Sequence, residues 1–148
     1  MEHVSIDDRI QLYMQRAYDI RINVDASTYE LRCLEKDLDD LQTDILFDYS
    51  DIRAQYQDIQ RSIEVITKTN ISGTNDYDRR ASGLNAARSV TQENEDGTTI
   101  TINLFQIESD LRRKFFLLQD IFSLLRDKSQ RIVTLRSTLK IEEELIAR

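Results

Sequence analysis

Apolar residues between Ile6 and Ile66 return in alternating steps of four and three. The series is Ile6, Ile10, Tyr13, Ala17, Ile20, Val24, then Leu31, Leu34, Leu38, Leu41, Ile45, and then Tyr49, Ile52, Tyr56, Ile59, Ile63 and Ile66. This spacing keeps one side of an α-helix apolar and forms the seam of a coiled coil. Ser27, between Val24 and Leu31, is a polar interruption of the seam. Two consecutive four-residue steps at Leu41, Ile45 and Tyr49 make a stutter, which relaxes the supercoil without ending the helix. The pattern predicts one helix over 5–68, about 60 residues and roughly 95 Å long.

A second seam runs through Leu104, Ile107, Leu111, Leu118, Ile121, Leu125, Ile132, Leu135, Leu139 and Ile146 in one heptad frame, with Lys114, Lys128 and Glu142 at the remaining seam positions. It predicts a helix over 104–148. Charges at seam positions weaken the contact, and they persist where they snorkel or meet an opposite charge, which fixes register and partner.

Between the helices, residues 69–103 are rich in Asn, Thr, Ser, Gly and Asp. All three glycines, Gly73, Gly83 and Gly97, fall here, and the chain has no proline. Both flanks are therefore free of the usual helix breakers. A short helix fits 76–88. Val90-Thr91-Gln92 and Thr98 to Ile102 flank the turn Glu95-Asp96-Gly97. A three-residue loop with Gly97 left-handed would set Val90 opposite Ile102 in a small β-hairpin; a disordered linker is the alternative. The expected fold is all-α: an elongated antiparallel helical hairpin in one coiled-coil domain over 1–148, with a polar connector that has room for a β-hairpin.

Charge bears on how the helices pair. Residues 104–148 carry a net +2 and residues 1–103 a net −9, giving −7 for the chain. Six aspartates between Asp37 and Asp51 stand without a basic residue, whereas Arg112-Arg113-Lys114 and the stretch from Arg126 to Arg131 are basic. Folding back near residue 85 brings these segments together, and exposed pairs of this kind select orientation more than they stabilise. The same register sets two broad apolar belts at one height, Ile45-Leu46-Phe47 with Tyr49 and Ile52, and Phe115 to Leu118 with Ile121, Phe122, Leu124 and Leu125. A helix apolar nearly all round needs more than one neighbour. Further helices at that level are expected from a second copy or another protein, with Phe47, Phe116, Leu117, Phe122 and Leu124 at the contact. The register also leaves residues 1–22 overhanging, so Ile6, Ile10, Tyr13, Ala17 and Ile20 are expected to anchor a partner.

Candidate chemistry is sparse. One cysteine, Cys33, excludes an internal disulfide, and one histidine, His3, leaves no zinc ligand set. Cys33 lies beside the seam and reads as a small buried hydrophobe. The acidic run Asp37-Leu38-Asp39-Asp40 splays around a helix and reads as a solvated face. Asn94, Asp96 and Gly97 resemble part of a calcium loop, but Gln92 and Asn103 stand where the ligands should be. Asn70-Ile71-Ser72 has the pattern of a glycosylation acceptor, and Arg79-Arg80-Ala81-Ser82 that of a basic-directed kinase site. The acidic balance argues against nucleic acid. No apolar run reaches the length of a membrane span, and no signal peptide is visible, so a cytoplasmic setting is expected, or one within a virion or other assembly built there.

These features describe a non-enzymatic structural subunit without cofactor, metal or small-molecule substrate, which oligomerises or docks into a cytoskeletal, secretion or virion type of assembly. In layout, two coiled-coil helices flanking a β-hairpin region, the chain resembles prefoldin subunits, which are similar in size and acidity. That resemblance lies in architecture, and it implies the alternative of a chaperone holding unfolded clients.

Overall fold

The computed structural model describes residues 4–147. It is 78% helical, with long helices packed against one another and one small antiparallel sheet. In chain order the elements are α1 (Ile6–Asp19), α2 (Thr28–Thr69), α3 (Asp76–Arg88), β1 (Val90–Glu93), β2 (Thr99–Ile102) and α4 (Leu104–Ile146). They form two compact units, one of the residues up to Ser50 with those from Phe116 onward, the other Asp51–Phe115.

In the first unit the helix expected over 5–68 is divided, because residues 20–27 leave the helical path. The cause is local hydrogen bonding that competes with the helix. Asn23 Oδ1 accepts from Asp25 N at 3.2 Å in an Asx turn. Ser27 and Glu30 then form a capping box: Glu30 N donates to Ser27 Oγ at 3.3 Å, and Ser27 N donates to Glu30 Oε2 at 2.6 Å. Such a cap is worth about 1 kcal/mol, enough to decide where a helix starts. Ser5 starts α1 in the same way, its side chain accepting from Asp8 N at 3.1 Å.

The break sends α1 back along α2. Arg9 meets Asp48 and Arg16 meets Asp44, so the two helices are antiparallel. Helix α4 is also antiparallel to α2, with Arg136 on Glu35 at 2.8 Å and Tyr49 edge-on to Phe122 at 5.1 Å between centroids. The midpoint of both pairs falls between Asn85 and Ala86, which is the register expected from charge and belt width. Three helices close on an apolar core that includes Ile10, Ala17, Leu31, Leu38, Leu41, Ile45, Leu118, Ile121, Leu125 and Ile132.

In the second unit Tyr56 stacks on Phe115 at 5.6 Å, in the same register. Helix α3 packs through small residues. Ala87 is fully buried, and a Cβ placed on Gly83 would overlap the carbonyl oxygen of Thr67. Ser82 pins the loop before α3, its Oγ accepting from Ser72 N at 2.8 Å and lying 2.9 Å from Ser72 O. The strands pair in the expected register, Val90 opposite Ile102. Gly97 has φ +79, and Asn94 N donates to Thr98 O at 2.8 Å to close the hairpin. Asn103 then starts α4, accepting from Phe105 N at 3.0 Å. Ile52, Leu104 and Leu111 complete the buried set here.

Replacing Gly83 tests the close approach of α3. In an open helix Gly→Ala would stabilise by about 1 kcal/mol, but forcing a methyl against a backbone carbonyl costs typically 1–3 kcal/mol. Gly83→Ala should therefore lower stability by up to about 2 kcal/mol, read as a reduced urea midpoint at unchanged slope. A gain in stability would show that α3 is loosely held.

Candidate protein-docking surfaces

A polar clasp holds α1. Arg9 grips Asp48 with two parallel bonds, Nε to Oδ2 at 2.8 Å and Nη2 to Oδ1 at 2.9 Å, and the Tyr13 hydroxyl donates to Asp48 Oδ2 at 2.8 Å. Arg16 adds a bond to Asp44 at 2.7 Å. Burial pulls the Asp48 carboxyl upward, but the hydrogen bonds from Arg9 and Tyr13 and the guanidinium charge outweigh it and hold it below the ordinary carboxylate value. Burial, with Asp48 beside it, pushes the Tyr13 hydroxyl up to about 12. The bond to Asp48 is also the main reason the Arg9 guanidinium is raised.

Lys128 completes the clasp from α4. Its ammonium donates to the carbonyl oxygens of Ala17 and Ile20, the latter at 2.5 Å, and so caps the C-terminus of α1. Carbonyls at a helix end lack intrahelical donors and carry the negative end of the dipole. Burial lowers the Lys128 pKa, with Arg131 and Arg21 adding to the effect. The seam charge is thus matched by backbone, not by a carboxylate.

The docking residues read from the sequence fall into two groups. Ile10, Tyr13 and Ala17 are buried within the chain, and Ile6 and Ile20 are half-buried. This corrects the overhang: the inner face of α1 is covered by α2 and α4 of its own chain, because the break at 20–27 folds it back, while Val4, Leu12 and Tyr18 stay exposed. It also supplies the third helix that the belts called for, without a second chain. Leu117, Phe122 and Leu124 become half-buried, while Phe116 is 49% exposed and Phe47 79%. Part of the aspartate run serves α1. Asp44 and Asp48 bind α1, whereas Arg112 pairs with Glu108 at 3.9 Å, and Arg113 and Lys114 pair with Asp110 at 3.0 and 2.6 Å.

A surface that periodicity did not reveal lies in the second unit. Ile63, Leu84 and Phe105 floor an open groove of about 740 Å³ whose rim carries Glu64, Lys68, Glu108 and Arg112. Arg88 lies over the Phe105 ring at 5.9 Å. Its members come from three helices, so only the tertiary fold assembles it.

The remaining chemistry resolves locally. Cys33 is exposed, not buried, since a loop and not a helix lies over the start of α2. Asp96 Oδ1 accepts from Thr98 N at 3.0 Å, so the calcium-like residues build the hairpin turn. Ser82 is engaged in the loop bonds described above. His3 lies outside the described residues, among which no group of side chains is arranged to hold a metal ion and no helix is long and apolar enough to cross a membrane.

No protein-family model, curated protein or solved structure matches the chain.

The clasp should loosen in acid. A carboxyl whose folded pKa is depressed contributes stability that is present above its unfolded value, near pH 4, and lost as pH falls through the folded value. Hydrogen-exchange protection of α1 amides should therefore drop below about pH 4. At neutral pH, Asp48→Asn should cost about 1–2 kcal/mol of that protection, allowing for solvent around Arg9, and flatten its pH dependence. The same acid transition in both proteins would place the sensitivity elsewhere.

Proposed function

We propose that this chain is a non-enzymatic helical scaffolding subunit that docks into a larger protein assembly through the outer faces of α2 and α4. The observation that carries this reading is the large apolar surface left in water on α2 and α4. Phe47 is 79% exposed with Leu46 beside it at 53%, and Ile141 and Leu145, one turn apart on α4, are at 58% and 65%. Phe116 adds a further aromatic at 49%. Burying an aromatic side chain of this kind in a contact yields roughly 2–3 kcal/mol. Phe47 and Leu46 lie outside the buried core. The groove over Ile63, Leu84 and Phe105, apolar with a rim of both charge signs, fits an amphipathic segment of a protein partner better than an anion or a nucleic acid.

A second reading, a chaperone of the prefoldin kind, is favoured by the hairpin between the two long helices and by exposed Ile141, Leu145 and Ile146 at the end of α4. The two readings differ in stoichiometry. A scaffolding subunit leaves source cells in a fixed ratio to its partners, whereas a chaperone suppresses aggregation of an unfolded client and releases it.

The test is the mass and composition of the complex that carries the chain in extract of its own cells. Phe47→Asp should leave helicity and melting of the purified chain almost unchanged, within about 0.5 kcal/mol, and should remove it from that complex. A native chain that runs at single-chain mass in extract would overturn the proposal.

A further inference from the structure

We propose that α1 exchanges between two copies of this chain, with residues 20–27 straightening so that α1 and α2 become one helix and each copy's α1 docks on its partner's α2 and α4. The argument begins with the seam, which does not stop where the helix stops. Ile20, Val24, Ser27 and Leu31 keep the alternating four and three steps straight through the break, and the break contains neither glycine nor proline and no residue of positive φ. Its sequence can therefore be helical. What opposes this is the Asx turn at Asn23, the capping box of Ser27 and Glu30, the burial of Ala26, and the Lys128 cap, whose acceptors Ala17 O and Ile20 O a continuous helix gives to its own amides.

The register agrees. The bonds of Arg9 and Tyr13 to Asp48, and of Arg16 to Asp44, set Tyr13 level with Ile45 and Ala17 level with Leu41. Continuing both helices at the same spacing sets Ile20 of one copy level with Leu38 of the other, Val24 with Leu34, and Ser27 with Leu31. Every layer of that antiparallel seam is then apolar except the one at Ser27. In the closed chain Leu31 and Leu38 are already buried, and the layer of Val24 and Leu34 is the open one. Val24 is 69% exposed, and an open hollow of about 290 Å³ lies beside Leu34, lined by Arg21, Asn23 and Ala26 of the loop. Exchange keeps the side-chain contacts of α1 with α2, gives up the Lys128 cap, and replaces the loop beside Leu34 with helix from the partner. Swapping an identical element is a low-cost route to a two-fold dimer. The proposal goes beyond docking through the outer faces, because it uses only the inner face of α1 and names a second copy as the occupant.

Sedimentation equilibrium over a concentration series reads the exchange. Ser27→Ala removes one cap per chain, about five-fold each, and should raise the dimer association constant ~25-fold. Val24→Asp puts a carboxylate in water in the closed form but into an apolar layer of the dimer, so it should lower that constant by ~100-fold or more while leaving single-chain melting unchanged. A charge exchange distinguishes swapping from any other dimer. Arg9→Asp alone and Asp48→Arg alone each place like charges together in the closed chain, yet an equimolar mixture restores an opposite-charge pair at both α1 sites of a swapped dimer. The mixture should form a one-to-one dimer more stable than either variant by itself. Two populations that ignore each other on mixing would overturn the proposal, as would a Ser27→Ala chain that stays at single-chain mass. Either result leaves co-purification through Phe47 to be judged on its own measurement.

Discussion

The carbonyl oxygens of Ala17 and Ile20 close α1 with no helical amide ahead of them, and Lys128 reaches from α4 to take both. A helix of 14 residues is marginal in water, since nucleation costs more than a few turns return. It therefore depends on tertiary contacts, and here each end of the contact is polar. Arg9 and Tyr13 converge on Asp48 toward the start, and Lys128 receives the finish. The apolar part between them, Ile10, Tyr13 and Ala17, is narrow. Without the cap, a cation on the α4 seam would face apolar side chains unpaired, which is the costlier arrangement. One side chain thus reconciles the charged seam position with the packing of three helices.

The two units solve the packing problem in different ways. The first fills its centre with long aliphatic layers and fixes orientation with charge at the edges. The second brings backbone close to backbone, with Gly83 against Thr67 and Ala87 fully buried. Aliphatic layers tolerate an exchange of similar volumes, because neighbours can repack. A backbone contact has no such slack. That contrast follows from composition, since the glycines and small residues are gathered in the connector and the leucines and isoleucines in the flanks.

Much of this was legible from periodicity. The seams located α4 and the greater part of α2, and the turn residues around Gly97 specified the hairpin register to the residue. The break at 20–27 was not read, although the signal was present: Ser27-Thr28-Tyr29-Glu30 has the spacing of a capping box. The apolar frame passes through it unchanged, and a frame records which face is apolar, not whether the backbone is continuous. The break accounts for how α1 and the belts are covered. A straight helix leaves 1–22 uncovered and the belts in need of another chain, whereas a broken one brings α1 onto the belts and turns Asp44 and Asp48 toward Arg16 and Arg9. The groove of Ile63, Leu84 and Phe105 was illegible for a different reason, since its members belong to three separate helices.

What the broken helix leaves exposed is as informative as what it covers. Once α1 occupies the belts, Leu117, Phe122 and Leu124 are half-buried and their apolar character is explained by the chain itself. Phe47 is not, because it lies on the far side of α2 from Ile45 by helical spacing and remains 79% in water. Single exposed apolar residues are ordinary on a protein surface. Phe47 is not single, since Leu46 adjoins it, and the pair sits amid Asp40, Thr43, Ser50 and Asp51, a polar rim around an apolar centre. That arrangement is the anatomy of a contact site, in which the rim sets orientation and the aromatic centre supplies the free energy once water is excluded.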